Sequence, residues 1–285
     1  MFSPERAPAA APVGALSRDK QVVLLVAVAL AGLLLLVGLG LAIYYSIHPV
    51  PAAGKLHAGA QSNTGFPTGA VSPGPSRTSD PVQARRDDLA ALPMRAVSPT
   101  DAQPSVLSTR DPGTIVLPAS TTTGPAGVPA GFDHTPAGAL AQLAAIDKAA
   151  LDSASLAGVR AVIEHWAAPG GPTTATWSGV TAMADFLTAA GLSSGKTPNL
   201  ALTATPIMGL LKATDGGDWV VACVDFEVDA TLARTARAAV ADCQRMAWAD
   251  DRWVIGPGAE PAPAPSIWPG TDAAIDAGYK ELRGG

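Results

Sequence analysis

The sequence predicts an α+β fold, helices first and then an antiparallel sheet, set behind an apolar run and a long tether. Between residues 136 and 190 apolar side chains recur at helical spacing. After Asn199 they alternate with period two, punctuated by turn signals at Asp215-Gly-Gly-Asp218 and Asp250-Asp251. Ahead of both, residues 22–47 carry no charged side chain, and residues 48–130 are dominated by Pro, Ala, Ser, Thr and Gly.

The apolar run has about 26 residues and, at about 1.5 Å per residue, reaches about 39 Å. That is enough to cross a hydrocarbon core of about 30 Å with some tilt. Tyr44 and Tyr45 stand where an interfacial aromatic belt belongs. A cleaved leader is the rival reading, but its apolar region is usually about 7 to 15 residues, and Pro51-Ala52-Ala53 is a weak cleavage site. The expectation is a transmembrane helix at 21–47. Arg6, Arg18 and Lys20 precede it, and only Lys55 lies between its end and Arg77. This asymmetry places the tail 1–20 in the cytoplasm and everything after 48 outside, in a single-pass cell-membrane protein.

Residues 48–130 contain fragments such as Val71-Ser-Pro-Gly-Pro-Ser-Arg-Thr78 and bury too little apolar surface to offset chain entropy. They are expected to be a linker with a typical reach of about 50 Å. Two slightly more apolar islands, 87–94 and 114–117, are candidates for docking. What remains, 131–285, is about 155 residues, enough for one domain with its own core. The net charge of −5 and the lack of any Lys/Arg cluster with interleaved aromatics argue against a nucleic-acid partner.

Within that domain Thr135 is the expected N-cap of a first helix, with Pro136 at its first position and Ala139, Leu143, Ile146 and Ala150 on one stripe. A second helix is expected over 154–167, ended by Pro169-Gly-Gly-Pro172. A third, capped by Ser178, is expected over 179–190 and closed by Gly191. Strands follow at 200–213, irregular at Pro206, then at 219–232, 235–249 and 252–256, with Trp248 facing Trp253. Thr271 is expected to cap a short terminal helix reaching about Arg283.

The two cysteines set a register. If Cys223 faces Cys243, the hairpin midpoint falls at residue 233, between two expected strands, and Arg237 comes opposite Asp229. Two cysteines in an extracytoplasmic domain favour a disulfide over two buried thiols. Val220, Ala222, Val224, Phe226 and Val228 then share one face, and Cys223, Asp225, Glu227 and Asp229 the other. Asp242 does not fit, because the register turns it toward the apolar face opposite Val224.

No other constellation points to chemistry. Asp225, Glu227 and Asp229 would spread along a strand face instead of surrounding a calcium ion, so a solvated face is expected. Ser193-Ser-Gly-Lys196 has the Ser-x-x-Lys spacing of penicillin-binding enzymes, but it follows a helix end and is taken as loop. His134 and His165 have no zinc-ligand spacing and are taken as surface or capping residues. No cofactor motif and no metal site are found. The six Trp residues are expected in the core, except that Trp268, in Ser266-Ile-Trp-Pro269, is a candidate partner contact or a plug on the sheet.

Three stretches carry a resemblance: Gly131-Phe-Asp-His-Thr-Pro-Ala-Gly-Ala-Leu140, the run from Cys223-Val-Asp-Phe-Glu-Val228 to Val240-Ala-Asp-Cys-Gln-Arg-Met246, and that from Arg252-Trp-Val-Ile-Gly-Pro-Gly258 to Ala264-Pro-Ser-Ile-Trp-Pro269. Together they resemble an actinobacterial family of uncharacterised single-span proteins associated with conjugative or integrative elements. The order of anchor, helices and sheet is also similar to that of the bitopic scaffold subunits of type IV secretion and conjugation machines. That resemblance implies a nuclear transport factor 2-like cone, a non-enzymatic scaffold or accessory role, and as partners the lipid bilayer and other membrane-embedded subunits or a second copy. A fold analogy does not establish function. The alternative is a surface-tethered module binding a small ligand or a cell-envelope polymer, since such cones often enclose a pocket.

Overall fold

The computed structural model describes residues 80–192, 197 and 199–284. The expected span at 21–47, residues 48–79 of the expected linker and the 193–196 loop lie outside the described residues. Among the described residues no helix is long and apolar enough to cross a membrane.

A helix precedes the three that the apolar periodicity predicts. It is α1 (Pro81–Ala91), and it lies in the segment read as linker. The others are α2 (Pro136–Asp152), α3 (Leu156–Trp166), α4 (Ser178–Ala189) and the short α5 (Asp272–Asp276). The strands are β1 (Thr114–Leu117), β2 (Thr122–Thr123), β3 (Pro129–Ala130), β4 (Ala201–Thr214), β5 (Trp219–Thr231), β6 (Thr235–Ala249), β7 (Arg252–Ile255) and β8 (Lys280–Gly284). Six of them form one curled half-barrel sheet in the order β1-β8-β4-β5-β6-β7. The fold is α+β, with helices packed on that sheet.

Local chemistry sets the helix ends. The Thr135 hydroxyl accepts from the Gly138 N–H at 3.0 Å, and the Ser155 hydroxyl from the Gly158 N–H at 3.1 Å. Ser178 is not the cap of α4. Trp177 holds that position without a side-chain bond, and the Glu260 carboxylate, distant in sequence, accepts from the Ser178 N–H at 2.9 Å. Gly191, at φ +70°, closes α4 while the Leu192 N–H donates back to Leu187 at 2.8 Å.

The β4–β5–β6–β7 meander has the expected register. Cys223 faces Cys243, Asp229 faces Arg237, Val221 faces Arg245 and Val224 faces Asp242. β4 is irregular just after Pro206 and again between Leu211 and Ala213, where a residue is left over in the ladder. Asp250 and Asp251 both take positive φ, +48° and +58°, giving the tight turn that sets Trp248 against Trp253 at 5.4 Å in an edge-to-face pair.

Two expectations are corrected. Residues 80–130, read as linker, carry α1, a 3₁₀ turn and the strands β1 to β3, so regular structure is not confined to 131 onward. A few buried residues such as Ala90, Ala102 and Val128, together with ion pairs to distant residues, seat this segment on the rest, so its composition conceals its order. And after α5 the chain does not stay helical to Arg283: Gly278, at φ +94°, breaks it, and β8 pairs parallel with β1 and antiparallel with β4. The sheet is therefore mixed rather than purely antiparallel.

Both faces of the sheet are covered. On the inner face Leu140, Leu143 and Ile146 of α2, Val159 and Ile163 of α3 and Leu187 of α4 pack on Val220, Ala222, Val224 and Phe226 of β5. Each fully buried Leu or Ile contributes about 1.5 to 3 kcal/mol. On the outer face, Met208, the two cysteines, Ile267, Ala274 and Tyr279 form a second cluster, and Ala90, Trp219 and Val221 a third. Residues 80–112 and 257–279 supply this outer cover.

Candidate functional site on the outer face of the sheet

Alternation along β5 and β6 sends Cys223, Asp225, Glu227, Arg237, Cys243 and Arg245 to the outer face. There Cys223 and Cys243 are joined by a disulfide between adjacent strands, and the Met94 sulfur lies 3.5 Å from that of Cys243. Beside them Asp225 is fully buried. This differs from the solvated face expected for the trio: only Glu227 and Asp229 remain partly exposed, because residues 257–279 cross over the other end. Burial pushes the Asp225 carboxyl up to about 9, and the Ile267 backbone N–H offsets only a fraction of that penalty. Neutral at physiological pH, it can donate a proton or a hydrogen bond but cannot act as an anion. Tyr279, whose hydroxyl donates to the Pro265 carbonyl at 3.1 Å, is also pushed up by burial and by Asp225.

Trp268 is 6 % exposed and plugs the sheet beside Ala102 and Ala239, so it is not a free aromatic platform. Its backbone N–H donates to the Asp101 carbonyl at 2.6 Å, and the Arg237 guanidinium lies 5.2 Å over its ring. Arg237 is itself held by Glu227 and, at 3.1 Å, by Asp229. One edge of Trp268 faces a groove of about 620 Å³ shared with Leu107, Arg110, Ile207, Met208 and Glu281. Its lining thus combines apolar side chains with charges of both signs. It brings Trp268 near the disulfide cluster through Met208, whose sulfur lies 3.1 Å from the Gly270 N–H.

The inner face holds a second set of acids. Asp242, the residue at odds with the apolar pattern, does face inward, where the Gln244 amide donates to it at 2.9 Å. Burial pushes it up to about 6. Asp147 of α2 is buried, and burial, then the charges of Asp242 and Glu260, hold its carboxyl well above the usual range. Sequence reasoning missed Asp147, although its place beside Ile146 on a helix buried nearly all round was the available signal. One Asp147 carboxyl oxygen is buried without a hydrogen-bond partner, which is consistent with burial disfavouring its charged form.

The histidines are placed as follows. His134 stacks on Trp248 at 4.1 Å and pairs with Asp218 at 2.7 Å, linking the start of α2 to two hairpin turns. The His165 carbonyl accepts from Arg252 at 3.4 Å. Among the described residues no group of three or more His, Cys, Asp or Glu is arranged to hold a metal ion. No protein-family model, curated protein or solved structure matches this chain.

Proposed function

We propose that this chain is a membrane-anchored, extracytoplasmic, non-enzymatic accessory or scaffold subunit of a conjugation apparatus of the type IV secretion kind. Its domain is read as a variant of the nuclear transport factor 2-like cone. The supporting observation is the arrangement of a curled sheet with three helices on one face, carried behind a sequence that has a membrane-length apolar run. A scaffold needs a surface and a location, whereas an enzyme needs aligned reacting groups. The test is deletion. Removing the whole gene from its native element, or only the coding stretch from Asp80 onward, should abolish or sharply reduce transfer of the element. Exporting the domain without its apolar run should fail as well, since anchoring raises the effective concentration of the partners. Normal transfer in all three strains would sink the reading.

The groove beside Trp268 favours a second reading, a tethered module that holds a small ligand or an envelope polymer. A Trp268→Ala variant separates the two. Loss of binding to isolated envelope with transfer intact would select the module.

A further inference from the structure

We infer that residues 80–112 form a releasable strap, latched to the outer face of the sheet by ion pairs, which opens when the tether before it is pulled and bares the Cys223–Cys243 disulfide. This rests on the anchored reading only for the source of the pull.

The strap is held differently from the other helices. α2 buries ten residues, whereas α1 buries only Ala90. What fixes α1 is charge. Arg85 and Arg86 converge on Asp215, the second at 2.8 Å, and Arg86 also lies 5.6 Å over the Trp219 ring. One residue on, Asp87 pairs with Arg245, whose side chain is only 4 % exposed. At the end of α1 the Ala90 carbonyl accepts from Lys212 at 2.9 Å and from the Ala262 N–H at 3.0 Å.

Three consecutive residues, 85 to 87, therefore close the latch on two buried residues, Asp215 just past the end of β4 and Arg245 in β6. Beyond α1 the strap has one 3₁₀ turn, Pro99–Ala102, and then an irregular stretch where Val106 is 88 % and Leu107 62 % exposed. That stretch is pinned by Ser108 and Arg110 to the α5 region. Beneath the strap lie Trp219, Val221 and the disulfide, which Met94 of the strap touches directly.

The geometry favours peeling. Force arriving through residue 80 loads α1 from its end, so contacts break in succession rather than all together. The latch pairs meet it first, within two turns of that end. These ion pairs and hydrogen bonds, with apolar contact limited to a few residues such as Ala90 and Met94, bury far less apolar surface than the core of the inner face, so the strap belongs to the low-stability end of the fold.

The test uses the full chain in detergent. Reduction of Cys223–Cys243 by a soluble phosphine is followed by alkylation and mass. Asp87→Asn and Asp215→Asn should each raise the reduction rate about ten-fold or more, and at low urea the wild-type rate should hardly change, as a small local opening requires. Unchanged rates in both variants, or a wild-type rate that climbs with urea as steeply as global unfolding, would overturn the strap. Should either variant fail to fold, pulling on the otherwise wild-type chain decides it, with handles on cysteines placed at Ser62 and Arg234. A first, low-force step should lengthen the chain by about 110 Å, the contour of roughly 33 residues at about 3.4 Å each, less the distance that the docked strap already spans. One all-or-none event would refute it. Either result is read without any assay of membrane insertion, so the strap can fail while the anchor stands, and the reverse.

Discussion

Replacing Asp225 by Asn should change how stability depends on pH, and the size of the change follows from linkage. In the unfolded chain this carboxyl titrates near about 3.9. In the fold, burial pushes it up to about 9. A folded-state value above the unfolded one means that the stability it contributes is fully present below about pH 4 and is lost as pH rises toward about 9. Across that window unfolding releases one proton, so stability falls by about 1.4 kcal/mol per pH unit. The slope is set by the single proton; the folded value only decides where the slope ends. Asn has nearly the same shape and cannot ionise. Its amide introduces a pH-independent offset, because it too must be buried at a site with few partners. The assay is urea unfolding followed by tryptophan fluorescence at pH 5, 6, 7 and 8, on the full chain in detergent. Between pH 5 and pH 8 the variant should gain about 4 kcal/mol on the wild type. With an m value of about 2 kcal/mol/M, that widens the gap between midpoints by about 2 M. The Asp147 and Asp242 contributions are present in both proteins and cancel to first order. A gap that stays constant with pH would refute the reasoning, for it would mean that Asp225 is ionised in the fold.

Replacing Cys223 and Cys243 together by Ala should lower stability by about 3 kcal/mol, the value for a closed loop of about 20 residues, and chemical denaturation of the exported protein checks it. Two free thiols in the denatured, unreduced protein would end that account. Leu143→Ala, at a fully buried site beneath the inner face, should cost about 2 to 5 kcal/mol, whereas Val106→Ala, on the exposed stretch of the strap, should change stability by less than about 0.5 kcal/mol. Equal effects would contradict the assignment of the core. Single cysteines at Ser3 and Ser62, in a background without the native pair, should react oppositely with an impermeant thiol reagent in intact cells, Ser62 labelled and Ser3 protected. Labelling at Ser3 would reverse the topology.

The helices and the meander were legible because both rest on short-range physics. Thr135-Pro136 and Ser155 carry their caps within three residues, and the apolar stripe of α2 repeats with the helix period. The register of β5 and β6 was legible for the same reason: a tight hairpin leaves few pairings, and facing Cys223 with Cys243 selects one. Face assignment followed from alternation, and it correctly isolated Asp242 as the residue that breaks the pattern. Such breaks are where sequence reasoning is expected to fail, and Asp242 turned out to lie near enough to the buried Asp147 for its charge to raise that carboxyl.

What could not be read has one physical cause, that long-range partners override local composition. Residues 80–130 have the composition of a tether, yet Asp215 and Arg245, more than a hundred residues away, supply the charges that dock α1. β1 and β8 are each too short to announce themselves and become strands only because they pair with each other and, through β8, with β4. The acidic face of β5 looked solvated because alternation tells which side a residue takes, not what covers that side. By itself the sequence determined the period of each element, the caps, the hairpin register and the membrane-length apolar run. Only the tertiary structure decided that the outer face is buried, that burial raises the Asp225 carboxyl beneath it, that Trp268 is a plug and that residues 80–130 of the segment read as linker lie on the sheet. Each of these depends on which distant segment comes to lie over the sheet, and nothing in the local sequence encodes that choice.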